Sequence, residues 1–287
     1  MRVGLLDNEL DERQASEMHL KLRHALHRAG HRPVLPRRSL GEINMEVGKV
    51  AGLVNSMEVD AWVIFGASRE VLEWFAVQST PAFALAGRQE GVPIAGTKPT
   101  MGLAYQEVTR RFVELGHRRI VLLAREMRRH PQPGRSERAF LEELEAQGIK
   151  TGRYNLPDWE DHPAGFHRVL DSLFSVTPPT ALLIDEAFLF TAASQFLASR
   201  GIRVPGDVSL ACTTNDLSFK WCERSVAHIR WKVHDIAREI LRWAADVSCG
   251  NHKVKQTLLP AEFVEGGTIG PPPETGPGLQ THRASAP

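Results

Sequence analysis

Cysteine is scarce in this chain, and the three residues present, Cys212, Cys222 and Cys249, are an odd number without CxxC spacing. That excludes a disulfide framework and marks the three as structural thiols of a reducing compartment. Net charge is scarcer still. With 35 Lys and Arg against 34 Asp and Glu the formal charge is +1, so no whole-molecule field draws the protein to nucleic acid or to an anionic membrane. No stretch approaches the ~20 apolar residues that cross a bilayer. The opening Met1-Arg2-Val3-Gly4-Leu5-Leu6-Asp7 is too short an apolar run for a signal-peptide core. These absences predict a cytoplasmic protein with no membrane partner. Absent too are a GxGxxG following a strand, a P-loop, a GxSxG elbow and HExxH, which removes the common nucleotide, hydrolase and metalloprotease chemistries. No cofactor, no metal and no catalysis are expected.

What is present is 42% hydrophobic and 24% charged over 287 residues, a globular composition able to bury one large core or two smaller ones. Short β-branched apolar runs alternate with stretches of helical period, the pattern of parallel strands joined by crossover helices. Strands are predicted over Val3–Leu6, Ala61–Phe65, Ala82–Leu85, Arg119–Ala124, Ala181–Ile184 and Val208–Cys212, with a last extended segment over Gln256–Val264. The intervening helices are predicted over Glu12–Ala29, Glu70–Val77, Ala104–Leu115, Glu137–Gln147, Phe166–Phe174, Phe190–Ser199 and Val233–Val247. Several stop at a glycine, Gly30, Gly116, Gly148 and Gly201 among them, the residue suited to the left-handed cap position. From 271 the chain turns to Pro, Gly, Ser and Thr and is predicted to be a disordered tail, 271–287.

Four segments in order carry a family resemblance. Leu115-Gly116-His117-Arg118-Arg119-Ile120-Val121 is similar to the "LGH-R-I" entry into the second lobe of LacI/GalR-type transcription regulators. Phe140–Ile149, FLEELEAQGI, resembles their "GF..AL...GI" helix. Pro179-Thr180-Ala181 through Gly201-Ile202-Arg203-Val204-Pro205-Gly206-Asp207-Val208-Ser209 resembles "PTA…GI.VP.DVS", and Leu258–Val264 resembles the terminal "LLP..LV" strand. The resemblance spans Val3 to Thr268. It implies an α/β fold of two doubly wound Rossmann-like lobes joined by three crossings, type I periplasmic-binding-protein-like, closing on a small molecule. The lobes are expected over 1–117 plus 230–257 and over 118–229 plus 258–270.

In open α/β sheets ligands sit beyond the carboxyl ends of the strands. Asp7 and Asn8 follow the first strand and either accept hydrogen bonds from sugar hydroxyls or merely terminate the strand. Arg88 follows Ala82–Leu85 and offers a five-donor guanidinium to a ligand or to a surface ion pair. The basic loop Arg125–Arg135 leads into a helix N-terminus, where an oxygen-rich ligand is favoured. The resemblance marks Arg135 there as the ligand-binding arginine, one position out of register, against the alternative of a solvated charge cluster. It also marks Asp185 and Glu186, at the place of the family's "ND" pair. Two carboxylates invite a glycosidase reading, but neighbours on an extended chain point to opposite faces, so at most one faces a ligand, and Asp185 is preferred. The family's hydroxyl-gripping aspartate is replaced by Thr214, with Asp216 as its substitute, and this departure leaves the usual hexose or purine ligand in doubt. Among the aromatics, Trp159, Phe219 and Trp221 lie in or near loops after strands and either stack on a sugar or cover core, whereas Trp62, Trp74 and Trp243 read as structural.

Two further clusters carry no function. His24, His27 and His31 suggest a zinc site, but Gly30 is expected to end the helix before His31. The basic run Arg28, His31, Arg32, Arg37, Arg38 lacks interleaved aromatics and reads as solvated loop. The resemblance therefore implies the effector-sensing part of a homodimeric regulator, with a small-molecule effector, a sugar by family precedent. DNA would be reached only through a helix-turn-helix or winged-helix module, which is expected to be absent from this chain. The alternatives are the solute-binding protein of a sugar ABC transporter and a dimerisation module that senses nothing.

Overall fold

A computed structural model describes residues 1–8 and 17–274. In chain order the strands are β1 Arg2–Leu6, β2 Arg32–Val34, β3 Ala61–Phe65, β4 Ala82–Leu85, β5 Ala95–Thr100, β6 Ile120–Leu123, β7 Ala181–Ile184, β8 Ser209–Cys212, β9 Ala227–Arg230, β10 Gln256–Pro260 and β11 Glu262–Val264. The helices are α1 Glu17–Arg28, α2 Val47–Asn55, α3 Arg69–Ala76, α4 Gly102–Glu114, α5 Glu126–Arg129, α6 Arg135–Ala146, α7 Pro163–Val176, α8 Ala187–Ser199 and α9 Val233–Ser248. A 3-10 helix covers Leu217–Trp221.

The chain divides into two compact units, one made of Met1–Thr100 and Trp231–Pro260, the other of Met101–Arg230 and the chain from Ala261 onward. The first unit holds a parallel sheet in the order β10-β5-β4-β3-β1-β2. Every residue of β3, AWVIF, is buried, as a central parallel strand covered on both faces requires. Its alternate residues serve two cores. Val63 and Phe65 join Val3, Leu5, Phe83 and Leu85 against Leu22 and Leu26 of α1 and Ile236, Ile240 and Trp243 of α9. Trp62 and Ile64 join Leu6 and Ala84 against Val50 of α2 and Val71, Leu72 and Phe75 of α3.

The second unit repeats the plan in the order β11-β9-β8-β7-β6, parallel except for the antiparallel β11–β9 edge. Val121, Leu123, Leu182, Ile184, Leu210 and Cys212 pack on the apolar faces of α7 and α8. The intervening Ile120, Leu122, Ala181, Leu183 and Ala211 are equally buried, so this sheet too is covered on both sides.

The α/β class and the alternating elements agree with the sequence reading; the differences have local causes. The first helix begins at Glu17, and residues 9–16 of the expected span lie outside the described residues. The chain leaves the first unit after Thr100, not after 117, because α4 packs along α6 in the second unit, where Arg110 forks onto Glu143 at 3.0 and 3.1 Å. The stretch Gln256–Val264 is two strands, not one. β10 pairs with β5 in the first unit through Pro260, three residues beyond the expected boundary, and β11 pairs with β9 in the second. Of the tail expected from 271, residues 275–287 lie outside the described residues. Its start is held, since the Gly270 carbonyl accepts from His117 and Pro272 abuts Gly116.

Candidate functional site

In the second unit β6, β7 and β8 run parallel and side by side, so the segments after Leu123, Ile184 and Cys212 meet at one sheet edge. Asp185 is the first residue past β7 and has no exposed surface. Its carboxylate is held from both neighbouring strands. The Thr213 hydroxyl, just past β8, donates to Oδ1 at 2.8 Å, and the Arg125 backbone N–H, just past β6, donates to Oδ2 at 3.2 Å. Arg128 of α5 completes an ion pair, Nε to Oδ2 at 2.9 Å. Its Nη groups donate no hydrogen bond among the described residues, so the outer donors of the guanidinium are unspent. Burial works against the charge of Arg128, but Asp185, Tyr105, Glu137 and Glu186 outweigh it and hold the pKa above the usual arginine value.

Two further buried groups belong to this cluster. The Tyr105 hydroxyl of α4 is pushed up by burial, with Asp185 and Glu137 adding to the effect. Glu137, in the first turn of α6, is buried, and its Oε1 has no hydrogen-bond partner among the described residues. Burial raises its pKa, its own backbone N–H and then Arg128 oppose the rise, and Asp185 adds to it. A carboxyl of this kind keeps its proton to higher pH than an exposed one. Glu186, next to Asp185, sits at φ 61°, a region costly for a residue with a side chain. That turn accompanies the full burial of Asp185 and leaves Glu186 partly exposed at the start of α8.

Two other arginines of the basic loop are neutralised internally. Arg125 Nε reaches both oxygens of Asp161 at 2.7 Å, and Arg129 donates to the carbonyls of Ala124 and Trp159 and pairs with Asp158. Trp159 is part of the core, and its indole N–H is spent on the Ala124 carbonyl at 3.0 Å. Arg135 is the exposed first residue of α6 and makes no ion pair among the described residues. Thr214 is half-buried with its hydroxyl 3.6 Å from the Cys212 thiol, itself pushed up to about 12 by burial. Asp216 caps the 3-10 helix through the Ser218 N–H at 2.7 Å, and Trp221 at its end is 91% exposed.

In the first unit Asp7 follows β1. It accepts from the Asn8 N–H at 2.6 Å and pairs with His19, Nε2 to Oδ2 at 2.6 Å. The Asn8 carbonyl accepts from the Gly41 N–H at 2.9 Å. Arg88 is exposed after β4, behind the left-handed residues Ala86 and Gly87; it makes no side-chain hydrogen bond or close ion pair among the described residues, though its charge helps to lower the pKa of Glu70 after its backbone and Ser68 hydrogen bonds. Of the residues singled out from sequence, then, only Asp185 sits within the buried polar cluster. Arg128, Thr213, Tyr105 and Glu137 were missed. Arg128 is one of four arginines in the basic loop Arg125–Arg135, and nothing in their spacing distinguishes it.

A family model for the periplasmic binding protein-like domain matches residues 109–269, more than half of the chain. The chain belongs to that family. This periplasmic-binding-protein-like protein is matched by no curated protein sequence. Among solved structures it is similar to a LacI-type transcription regulator from Bifidobacterium animalis subsp. lactis, with a TM-score of 0.77 at 18% identity over 94% of this chain and 99% of the other. A dimeric Lac repressor with a C-terminal deletion gives 0.74 at 18% over 95% and 100%. A LacI family regulator from Enterococcus faecium with bound ribose gives 0.74 at 16% over 94% and 99%. At such identities the likeness establishes that these periplasmic-binding-protein-like chains share a fold, as the resemblance implied. Among the described residues no helix is long and apolar enough to cross a membrane, and no group of three His, Cys, Asp or Glu is placed to hold a metal ion.

Proposed function

We propose that this chain is the small-molecule-sensing effector domain of a LacI-type transcription regulator, that it acts as a homodimer without catalysing a reaction, and that its effector is a hydroxyl-rich molecule such as a sugar. The observation that carries the reading is the Asp185–Arg128 pair. A carboxylate with no exposed surface, held by Thr213 and the Arg125 N–H, fixes a guanidinium whose Nη donors remain unspent. A planar donor fork oriented in advance is what recognition of vicinal hydroxyls or a carboxylate calls for, because little entropy is then lost per hydrogen bond formed. Arg128 thereby takes the ligand-gripping role that the resemblance placed at Arg135, and Asp185 acts by positioning Arg128. The fold and the regulators that share it support the sensing role, and the ribose carried by one of them supports a sugar.

Isothermal titration against a panel of mono- and disaccharides tests the proposal. One member is expected to bind, and Arg128→Lys is expected to weaken it by about tenfold or more, since a lysine keeps a charge near Asp185 but loses the fork. Arg135→Ala is expected to matter less. Silence across the panel, or full affinity in Arg128→Lys, would remove the sugar-sensing reading.

A further inference from the structure

The basic run Arg28, His31, Arg32, Arg37, Arg38 is divided by the fold. Arg28 ends α1 and Arg32 opens β2, whereas Arg37 and Arg38 form a bend between the buried Pro36 and the buried Ser39 and Leu40. The chain leaving that bend is held firmly. The Ser39 hydroxyl accepts from the Glu42 N–H at 3.1 Å, the Glu42 carboxylate accepts from the Ser39 N–H at 2.7 Å, and the Leu40 and Gly41 N–H groups donate to the carbonyls of Asp7 and Asn8 at 2.7 and 2.9 Å. Both arginines line one open hollow of about 340 Å³, whose other walls are Ile43 of the same loop and Lys49 and Leu53, one turn apart on α2. Three cations thus meet over two apolar side chains. Lys49 is paired with Glu46 at 2.7 Å and Glu42 is spent on Ser39, but neither Arg37 nor Arg38 makes a hydrogen bond or ion pair among the described residues. Like charges gathered without a counter-charge repel one another, and an anion that joins them relieves the repulsion.

We propose that this hollow is a second ligand site that takes a phosphate group, as the free ion or as a small phosphomonoester, with Arg37 and Arg38 forking onto its oxygens and Lys49 as the third cation. A phosphomonoester is close to a dianion at neutral pH, which answers the two unmatched positive charges. The planar guanidinium, with five donors, matches the spacing of phosphate oxygens in a way that an ammonium does not. The volume lies within the range of small-molecule sites. A duplex backbone is met by cations spread along a face, whereas a concave site with a partly apolar floor suits a small ion or ester. The hollow belongs to the first unit and Arg128 to the second, so the two sites are distinct and neither reading rests on the other.

The test titrates the full chain with inorganic phosphate, with glucose 6-phosphate and with a DNA duplex of arbitrary sequence. Inorganic phosphate, glucose 6-phosphate or both are expected to bind, and the tighter of the two names the source of the group. Arg37→Gln and Arg38→Gln are each expected to weaken that binding about tenfold or more, while Arg128→Lys leaves it unchanged. Both arginines are exposed, so the two variants should keep the urea midpoint of the parent protein. Silence with both phosphates, full affinity when the two substitutions are combined, or loss of affinity in Arg128→Lys overturns the proposal. Binding of the duplex alone, lost in the same two variants, would assign the pair to a nucleic acid backbone and overturn it as well.

Discussion

His117 and Glu137 are two buried titratable side chains with opposite consequences for pH. His117 is enclosed, with Nδ1 3.0 Å from the Thr180 hydroxyl and Nε2 2.8 Å from the Gly270 carbonyl, and burial lowers its pKa. A histidine depressed in this way contributes stability that is complete above its unfolded value of about 6.5 and is lost as pH falls through the lower folded value. Glu137 is raised, so its contribution is complete below the unfolded value near 4.3 and is lost as pH rises through the folded one. Urea unfolding measured across pH 4–8 should therefore show the acid-side loss shrink in His117→Gln, and the loss toward neutral pH shrink in Glu137→Gln. A pH profile unchanged by either substitution would mean that these groups titrate alike in the folded and unfolded chain. Neither residue was separable from the sequence by its charge behaviour. His117 is visible only as part of a family motif, and Glu137 is an ordinary acid in the first turn of a helix until α4 and the β7 end close over it.

At the scale of elements, the sheets were legible where strands are buried on both faces, since β3, β6 and β7 are continuous apolar runs that little else explains. They were not legible where pairing substitutes for hydrophobicity. β5, AGTKPT, is polar and contains Pro99, yet it is held by β4 on one side and β10 on the other. α2, VGKVAGLVN, contains two glycines and has no side-chain cap, and Val50 packing under the first sheet supports it. The β1–β3 contact shows the same dependence on neighbours. Gly4 lies opposite Trp62 in register, and a Cβ there would stand 2.5 Å from the indole ring. Gly4→Ala is accordingly expected to destabilise the protein by roughly 1–3 kcal/mol through overpacking, read from the denaturation midpoint. A neutral result would show that Trp62 has room to shift.

At the scale of the whole molecule, the first unit is completed by chain that returns to it after the second unit has been made. Trp243 of α9 packs on Phe83 of β4 at 5.3 Å between rings and belongs to the same core as Val3, Leu5 and Leu26. Trp243→Ala is expected to cost about 3–5 kcal/mol and to lower amide-exchange protection in β1, β3 and β4, far from it in sequence. Protection in those strands left intact would mean that residues 1–100 hold the sheet without α9.

The order of strands and helices, the α/β class and the family were set by local periodicity and by four short motifs, because burying a sheet on both faces imposes a pattern that every part of the chain repeats. The crossing after Thr100, the splitting of β10 from β11 and the choice of Arg128 among four arginines were decided only on folding. Those outcomes depend on which distant groups share a buried space, and a carboxylate such as Asp185 acquires its partners only when three separate strands end at the same edge.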